Sequence, residues 1–247
     1  MRRAFSKPTP DDQTFQALMT DFRASGYEGL QLKMGQFVPY LEDPDGYLTR
    51  WGADKGRASA LIYFDTIDGP GAEKLAATTR FAAAVGSERV VFCHNHGRDG
   101  VTVDDLRGFA RTISGFGADA AARGVALSLH HHFDQPVMHP ADVETFFGAV
   151  EPGTVHLTVD TAHLAKSGVT DIPGFLRDYA ELIDNIHFKD YADGQWRLLG
   201  QGDLDLTGIL AALVETGYDG WLCVDEESSA DLRTGLTVSR DWLDEHL

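Results

Sequence analysis

The sequence predicts a single (β/α)₈ TIM barrel, on three observations. Short apolar runs alternate with longer stretches of helical period along the whole chain. Eight such runs can be marked out, the number that closes a parallel barrel. The length of 247 residues is also one at which such a barrel forms one domain, so residues 1–247 read as a single unit. Strands separated by helices of about 10–15 residues imply right-handed βαβ units and a parallel sheet. The competing arrangement is an open doubly wound sheet. No GxGxxG or GxxxxGK[ST] loop opens a helix here, which disfavours its nucleotide-binding form.

The predicted strands, in order, are Arg3–Ser6, Gly29–Lys33, Ala60–Phe64, Val90–His94, Val125–His130, Val155–Asp160, Ile183–Lys189 and Trp221–Asp225. The predicted helices are Asp11–Ser25, Gly71–Val85, Val103–Arg123, Ala141–Val150, Ile172–Leu182, Leu206–Thr216 and Ser229–His246. Gly26, Gly124 and Gly217 follow helical stretches and precede strands, as helix-ending glycines do. Thr102 stands three residues before Asp105, the spacing of an N-terminal capping box. Asp203-Leu204-Asp205 reads as a cap for the helix that follows, favoured by its dipole. Between Leu41 and Ser59 only a turn at Pro44–Gly46 is legible, with a short helix after it.

The net charge is −17, from 21 basic and 38 acidic side chains. With no Lys/Arg run to offset it, that charge repels nucleic-acid backbones and anionic membranes. It serves solubility, and it concentrates divalent cations. Cys93 and Cys223 lie inside apolar runs and read as buried thiols. The N-terminal stretch lacks the apolar segment of a signal peptide, and no window is long enough to span a bilayer, so the expected location is the cytoplasm.

Function in such a barrel sits where the strands end at their C-terminal side. Five successive predicted strands end there in ligand-type residues: His94-Asn95-His96, His130-His131-His132, Asp160 with His163 three residues on, His187-Phe188-Lys189, and Asp225-Glu226-Glu227. Seven of the ten histidines cluster in this way, too many for each to be only a strand meeting solvent. Alternation along the strands then sorts them. Val125, Leu127 and Leu129 face outward, which turns Ser128 and His130 toward the axis. The same parity turns Asp160, His187, Lys189 and Asp225 inward. Two imidazoles and two carboxylates, His130, Asp160, His187 and Asp225, thus converge. That mixed nitrogen and oxygen set suits Mn²⁺ first, with Zn²⁺, Co²⁺ or Fe²⁺ as alternatives, better than Ca²⁺. His94, His132 and Lys33 are candidate substrate contacts, although Lys33 reads equally as a rim charge. His156 reads as a packing residue, and Glu226, of the wrong parity, as a residue behind the site or in solvent.

At these residues the chain resembles the xylose-isomerase-like TIM-barrel superfamily, in particular its sugar isomerase/epimerase branch. The resemblance is carried by Phe22–Gly29, Asp160-Thr161-Ala162-His163-Leu164, Ile186-His187-Phe188-Lys189-Asp190-Tyr191, Gly200–Asp205 and Gly217–Trp221. It implies a metal set of Glu, Asp, His and Glu. Asp160 and His187 match it, while the first Glu falls on His130 and the last on Asp225. The run His130–Val137, with three histidines, resembles the corresponding strand end of inosose dehydratases.

The resemblance therefore implies one divalent ion and a small unphosphorylated sugar or polyol carbonyl as substrate. Proton abstraction beside the carbonyl would give an enediolate, with Asp225 or His130 as base. His163 would hold a substrate hydroxyl, and Lys189 would steady an oxygen or a leaving hydroxyl. Isomerisation or epimerisation stands slightly ahead of dehydration. A catalytically silent sugar- or metal-binding relative is the third reading. Endonuclease IV shares the fold, but the acidic charge argues against nucleic acid. A homo-oligomer accords with the resemblance.

Overall fold

The structure, a computed structural model, describes residues 1–51 and 57–247. In chain order its elements are β1 (Arg2–Ser6), α1 (Asp12–Asp21), β2 (Gly29–Lys33), α2 (Met34–Phe37), a 3₁₀ turn (Val38–Tyr40), α3 (Pro44–Trp51), β3 (Ala58–Asp65), α4 (Gly69–Val85), β4 (Arg89–His94) and α5 (Val103–Ala121). Then follow β5 (Ala126–His130), α6 (Pro140–Phe147), β6 (His156–Asp160), α7 (Thr161–Lys166), α8 (Ile172–Asp178), β7 (Ile183–Phe188), β8 (Asp190–Ala192), β9 (Gln195–Arg197), α9 (Leu206–Glu215), β10 (Trp221–Asp225) and α10 (Leu232–His246). The strands form a closed barrel in the order β1-β10-β7-β6-β5-β4-β3-β2, and β8 with β9 makes a separate hairpin. This is the predicted barrel, with strand ends one or two residues from those read in the sequence.

The chain divides into two compact units, Met1–Gln31 with Val159–Leu247, and Leu32–Thr158. In the first, β1 pairs in parallel with β10, placing Ala4 beside Cys223 and Ser6 beside Asp225. β10 pairs in turn with β7, placing Cys223 beside His187. Ala4, Trp221 and Cys223 pack together as one apolar cluster. Below Asp225, then, the inward positions of β10 are filled by a thiol and an indole, as its parity predicts. In the second unit β3, β4, β5 and β6 pair in sequence, with His130 at the end of β5 opposite Thr158. Here Ala60, Ile62, Val91 and Cys93 form the matching cluster. Both cysteines are buried and unbridged.

The helices cover these strands with apolar stripes. On α5 the buried residues Leu106, Phe109, Ala110, Ile113 and Ala120 recur at helical spacing, and Thr102 caps its start reciprocally with Asp105. Gly26, Gly124 and Gly217 all take positive φ, between 73° and 87°, as helix-ending glycines should.

Among the described residues of the region left open in the sequence, Pro44–Trp51 form a helix and β3 begins at Ala58. Pro44–Gly46 is not a turn but the first residues of α3, where Asp43 Oδ1 accepts from Gly46 N at 2.9 Å. Proline is favoured at that first position because its missing N–H has no partner there in any case. Residues 52–56 of this region lie outside the described residues. No helix among the described residues is long and apolar enough to cross a membrane.

Candidate metal centre

The strand ends of the unit containing Met1–Gln31 and Val159–Leu247 bring three predicted ligands together. Asp160 ends β6, His187 lies in β7 and Asp225 ends β10. One ligand atom from each lies within 4.8 Å of the others, and all three residues are buried. Each side chain is oriented by its neighbours.

Asp160 is also the N-cap of α7: its Oδ1 accepts from His163 N at 2.9 Å, which turns Oδ2 toward the cluster. His187 Nε2 lies 2.9 Å from Gln31 Oε1. A carbonyl oxygen only accepts, so Nε2 carries the proton and Nδ1 keeps its lone pair. That Nδ1 lies 3.8 Å from Asp225 Oδ2 and faces the cluster. Gln31 is itself locked by Asn185, through Nε2 to Oδ1 at 2.6 Å and a return bond at 3.2 Å. A histidine ligand whose far nitrogen is held by a second-sphere acceptor is the usual arrangement at a metal site. Two carboxylates and one imidazole Nδ1, oriented and buried, fit a first-row divalent ion.

Lys189 enters the same cluster. Its ammonium lies 2.8 Å from Asp225 Oδ2, 3.4 Å from Asp160 Oδ2 and 2.8 Å from Glu227 Oε2. The side chain is only 2% exposed. Burial pushes the ammonium toward its neutral form, but the carboxylates of Asp160, Asp225 and Glu227 outweigh it and hold its pKa well above the usual lysine range. Its backbone is pinned on both sides by Thr161, whose Oγ1 donates to Lys189 O at 2.6 Å and accepts from Lys189 N at 3.0 Å. Trp196, on the β8–β9 hairpin, stands 5.0 Å from the ammonium and 4.8 Å from the His163 ring.

The next residue faces the other way. Asp190 accepts from the backbone N–H groups of Tyr191, Gly200, Gly202 and Leu204 at 2.8–3.3 Å. That explains the Gly200–Asp205 motif: a Cβ at Gly202 would lie 2.2 Å from Asp190 Oδ1. Glu226, expected behind the site or in solvent, is buried and forms an ion pair with Lys7, while its Oε1 accepts from Ser228 N at 2.7 Å.

The other predicted residues lie in the unit Leu32–Thr158. His130 is buried at the end of β5, with the His132 ring 5.6 Å away. His131 is fully buried. His132 Nδ1 bonds Phe133 O at 2.7 Å. The His94 ring packs 4.6 Å from Phe109, at a cavity of about 240 Å³ also lined by His96, Asp105 and Pro136. Burial, then the neighbouring His96, against a weaker pull from Asp68, lowers its pKa to about 4. Lys33 ends β2 and is the N-cap of α2, its backbone N donating to Gln36 Oε1 at 2.8 Å.

Sequence reasoning gives no role in the site to Gln31, Thr161, Trp196 or Glu227, although Glu227 is counted among the ligand-type residues at its strand end. Of the other three, Gln31 alone carries a usable signal, as a polar side chain in the middle of an otherwise apolar strand.

Comparison with known proteins agrees with this picture. The family model described as xylose isomerase-like TIM barrel matches residues 58–246. The inosose dehydratase of Lacticaseibacillus casei is 30% identical over 145 residues, covering 51% of this chain and 48% of that protein. The chain thus spans about half the length of the curated relatives it matches. Among solved structures, an L-ribulose 3-epimerase superposes with a TM-score of 0.84 at 20% identity, covering 100% of this chain and 94% of the other. The IolI protein with a bound zinc atom superposes at 0.77 and 16% identity, covering 100% and 96%. At such identities the structural likeness establishes the fold alone. On the extent of the family match, the chain belongs to the xylose isomerase-like TIM-barrel family.

Proposed function

We propose that this protein is a divalent-metal-dependent enzyme acting on a small unphosphorylated sugar or polyol carbonyl, and that its reaction is loss of water from the carbon next but one to the carbonyl. The observation that carries the metal reading is the buried group of Asp160, His187 and Asp225, with ligand atoms within 4.8 Å of one another. His130 supplies the fourth donor, at the position where the family resemblance puts the first ligand. Mn²⁺ leads among the candidate ions, with Zn²⁺ next.

When bound, the ion polarises the substrate carbonyl and acidifies the neighbouring C–H. The protein's own groups do the rest. Asp225 or His130 takes the proton. His163, held against Trp196, meets a substrate hydroxyl. Lys189 Nζ donates a hydrogen bond to the hydroxyl that departs.

Dehydration is favoured over isomerisation on two grounds. The curated relatives matched here are inosose dehydratases. The cluster also brings an ammonium, Lys189, and a carboxylate, Asp225, into one buried site, the donor and the acceptor that elimination of a hydroxyl requires. Isomerisation or epimerisation, set slightly ahead by the sequence alone, remains the second reading. It is supported by the fold shared with L-ribulose 3-epimerase.

The test is incubation with Mn²⁺ and a panel of inososes, ketoses and aldoses in D₂O, followed by NMR. An unsaturated or diketone product supports dehydration. Deuterium at the α-carbon without loss of water moves the assignment to isomerisation. Binding without conversion across the panel leaves a catalytically silent relative. Protein purified without chelator should carry about one equivalent of metal, and Asp160→Ala and His187→Ala should lose it. Full metal content in both variants would overturn the ligand assignment.

A further inference from the structure

We propose that Lys189 is a built-in counter-cation of the metal centre: it occupies the Asp160–Asp225 carboxylates when no ion is bound, yields them to the ion, and is held by Glu227 in both states. The inference rests on the metal reading above and goes beyond it by assigning what sets the affinity of the site.

The geometry points to this role. The ammonium lies 2.8 Å from Asp225 Oδ2 and 3.4 Å from Asp160 Oδ2. These are two of the three residues that converge as candidate ligands. A cation so placed competes with any other cation for the same lone pairs. Asp160 and Asp225, buried together, repel one another unless a positive charge stands between them. Lys189 supplies that charge from within the chain.

Glu227 is what makes the exchange feasible. Its Oε2 lies 2.8 Å from the same ammonium, and its side chain is 28% exposed, against 3% or less for Asp160 and Asp225. Lys189 therefore need not leave for solvent when Asp225 turns to a metal. It gives up Asp160 and Asp225 and keeps Glu227, and the Trp196 face 5.0 Å away offers a further favourable contact for the charge. Thr161 holds the Lys189 backbone at both N and O, so the exchange is confined to the side chain. The charges also balance. Asp160, Asp225 and Glu227 against one ammonium leave two negative charges, which a divalent ion neutralises.

The experiment uses full-length protein stripped with chelator and titrated with Mn²⁺ by calorimetry, alongside Lys189→Met, Glu227→Gln and the double variant. Circular dichroism checks that each is folded. Lys189→Met should bind Mn²⁺ about tenfold tighter or more, because the competing ion pair is gone. Its metal-free form should melt at lower temperature, with a larger rise on adding Mn²⁺. Glu227→Gln should bind about tenfold weaker, because Lys189 then has no second carboxylate to turn to. In the Lys189→Met background the same Glu227 change should have little effect, since it acts through the lysine. A Lys189→Met variant that binds Mn²⁺ no tighter than the original overturns the proposal. If Lys189→Met fails to fold without metal, Glu227→Gln decides alone, and unchanged affinity there overturns it. An original protein that binds no Mn²⁺ or Zn²⁺ at all overturns the metal reading itself, a separate and recognisable failure.

Discussion

Gln31 offers the sharpest test of how the proposed metal centre is built. Its Oε1 accepts from His187 Nε2 at 2.9 Å, and its amide exchanges two hydrogen bonds with Asn185. Gln31→Leu keeps roughly the same volume and removes all three bonds. Two consequences follow, with different magnitudes and different readouts. The His187 ring loses the group that fixes its tautomer and tilt, and second-sphere losses of this kind weaken metal binding about 10–100-fold. That corresponds to about 1.4–2.7 kcal/mol of binding free energy. Separately, the buried Asn185 amide loses its Gln31 partner, which costs about 1–3 kcal/mol of folding stability. Titration of the metal-free protein with Mn²⁺ measures the first, and urea unfolding in chelator the second. Gln31→Glu separates them. Its carboxylate still accepts from His187, so affinity should return to within about tenfold of the original. It cannot donate to Asn185 Oδ1, so stability should stay low. A Gln31→Leu protein that binds metal with undiminished affinity would refute the claim that Gln31 orients His187.

Two further outcomes follow from the structure. Asp190→Asn replaces one accepting oxygen with a donor that faces backbone N–H groups; it should cost about 2–4 kcal/mol in urea unfolding, and a loss below about 1 kcal/mol would mean that the carboxylate does not organise residues 198–205. His94 is held neutral in the folded chain down to about pH 4, by burial first and by His96 second, whereas the unfolded chain takes up the proton near pH 6.5. The unfolded state therefore binds more protons between those values, and stability falls as pH drops from 6.5 toward 4. After discounting for solvent screening at this half-buried ring, the loss amounts to about 1–2 kcal/mol. His94→Phe should be less pH-sensitive than the original over that window, and equal slopes in the two proteins would exclude His94 as the source.

What could be read from the sequence follows from how each feature is encoded. The barrel strands are short and buried, so continuous apolar runs mark them, and their ends fall where polar residues begin. Helix ends are written less clearly. The expected helix Asp11–Ser25 stops at Asp21, because the apolar period runs on past the last regular turn. The hairpin β8–β9 escapes the sequence reading although its turn carries a signal. Asp193 and Gly194 both take positive φ, 51° and 76°, in a two-residue loop, and Asp-Gly is a strong marker of that turn type. Its strands have only three residues each, too short for alternation to register. Strand parity predicts that His130, Asp160, His187 and Asp225 converge, and the structure brings ligand atoms of Asp160, His187 and Asp225 within 4.8 Å of one another. Parity cannot show that Lys189 stands between the two aspartates, because a long side chain chooses its partners by charge, not by strand geometry. For Glu226 the sequence leaves two places open, behind the site or in solvent, and the structure takes the buried one. Its parity does turn it away from the cluster, but Lys7, which ends no predicted strand, buries it.

The two positions that depart from the family's Glu, Asp, His, Glu pattern bear on the chemistry through charge. That pattern sets three carboxylates around the ion, one more negative charge than a divalent cation carries. In the site as proposed, with His130 as fourth donor, the carboxylates are those of Asp160 and Asp225, and their charge would cancel that of the ion. Lys189 and Glu227, 2.8 Å apart, cancel each other beside it. In a buried site each uncompensated charge is felt strongly, because little water screens it. A donor set without surplus negative charge withdraws more electron density from a substrate carbonyl and so acidifies the adjacent C–H further. That gain suits a reaction which ends in expulsion of a poor leaving group such as hydroxide, whereas simple return of the proton to carbon needs less. An imidazole at 130 in place of a carboxylate leaves Asp225 as the one carboxylate of the departed pair, so a proton relay between two carboxylates lacks one of its members in the proposed site. Both effects favour the proposed elimination over the second reading, epimerisation.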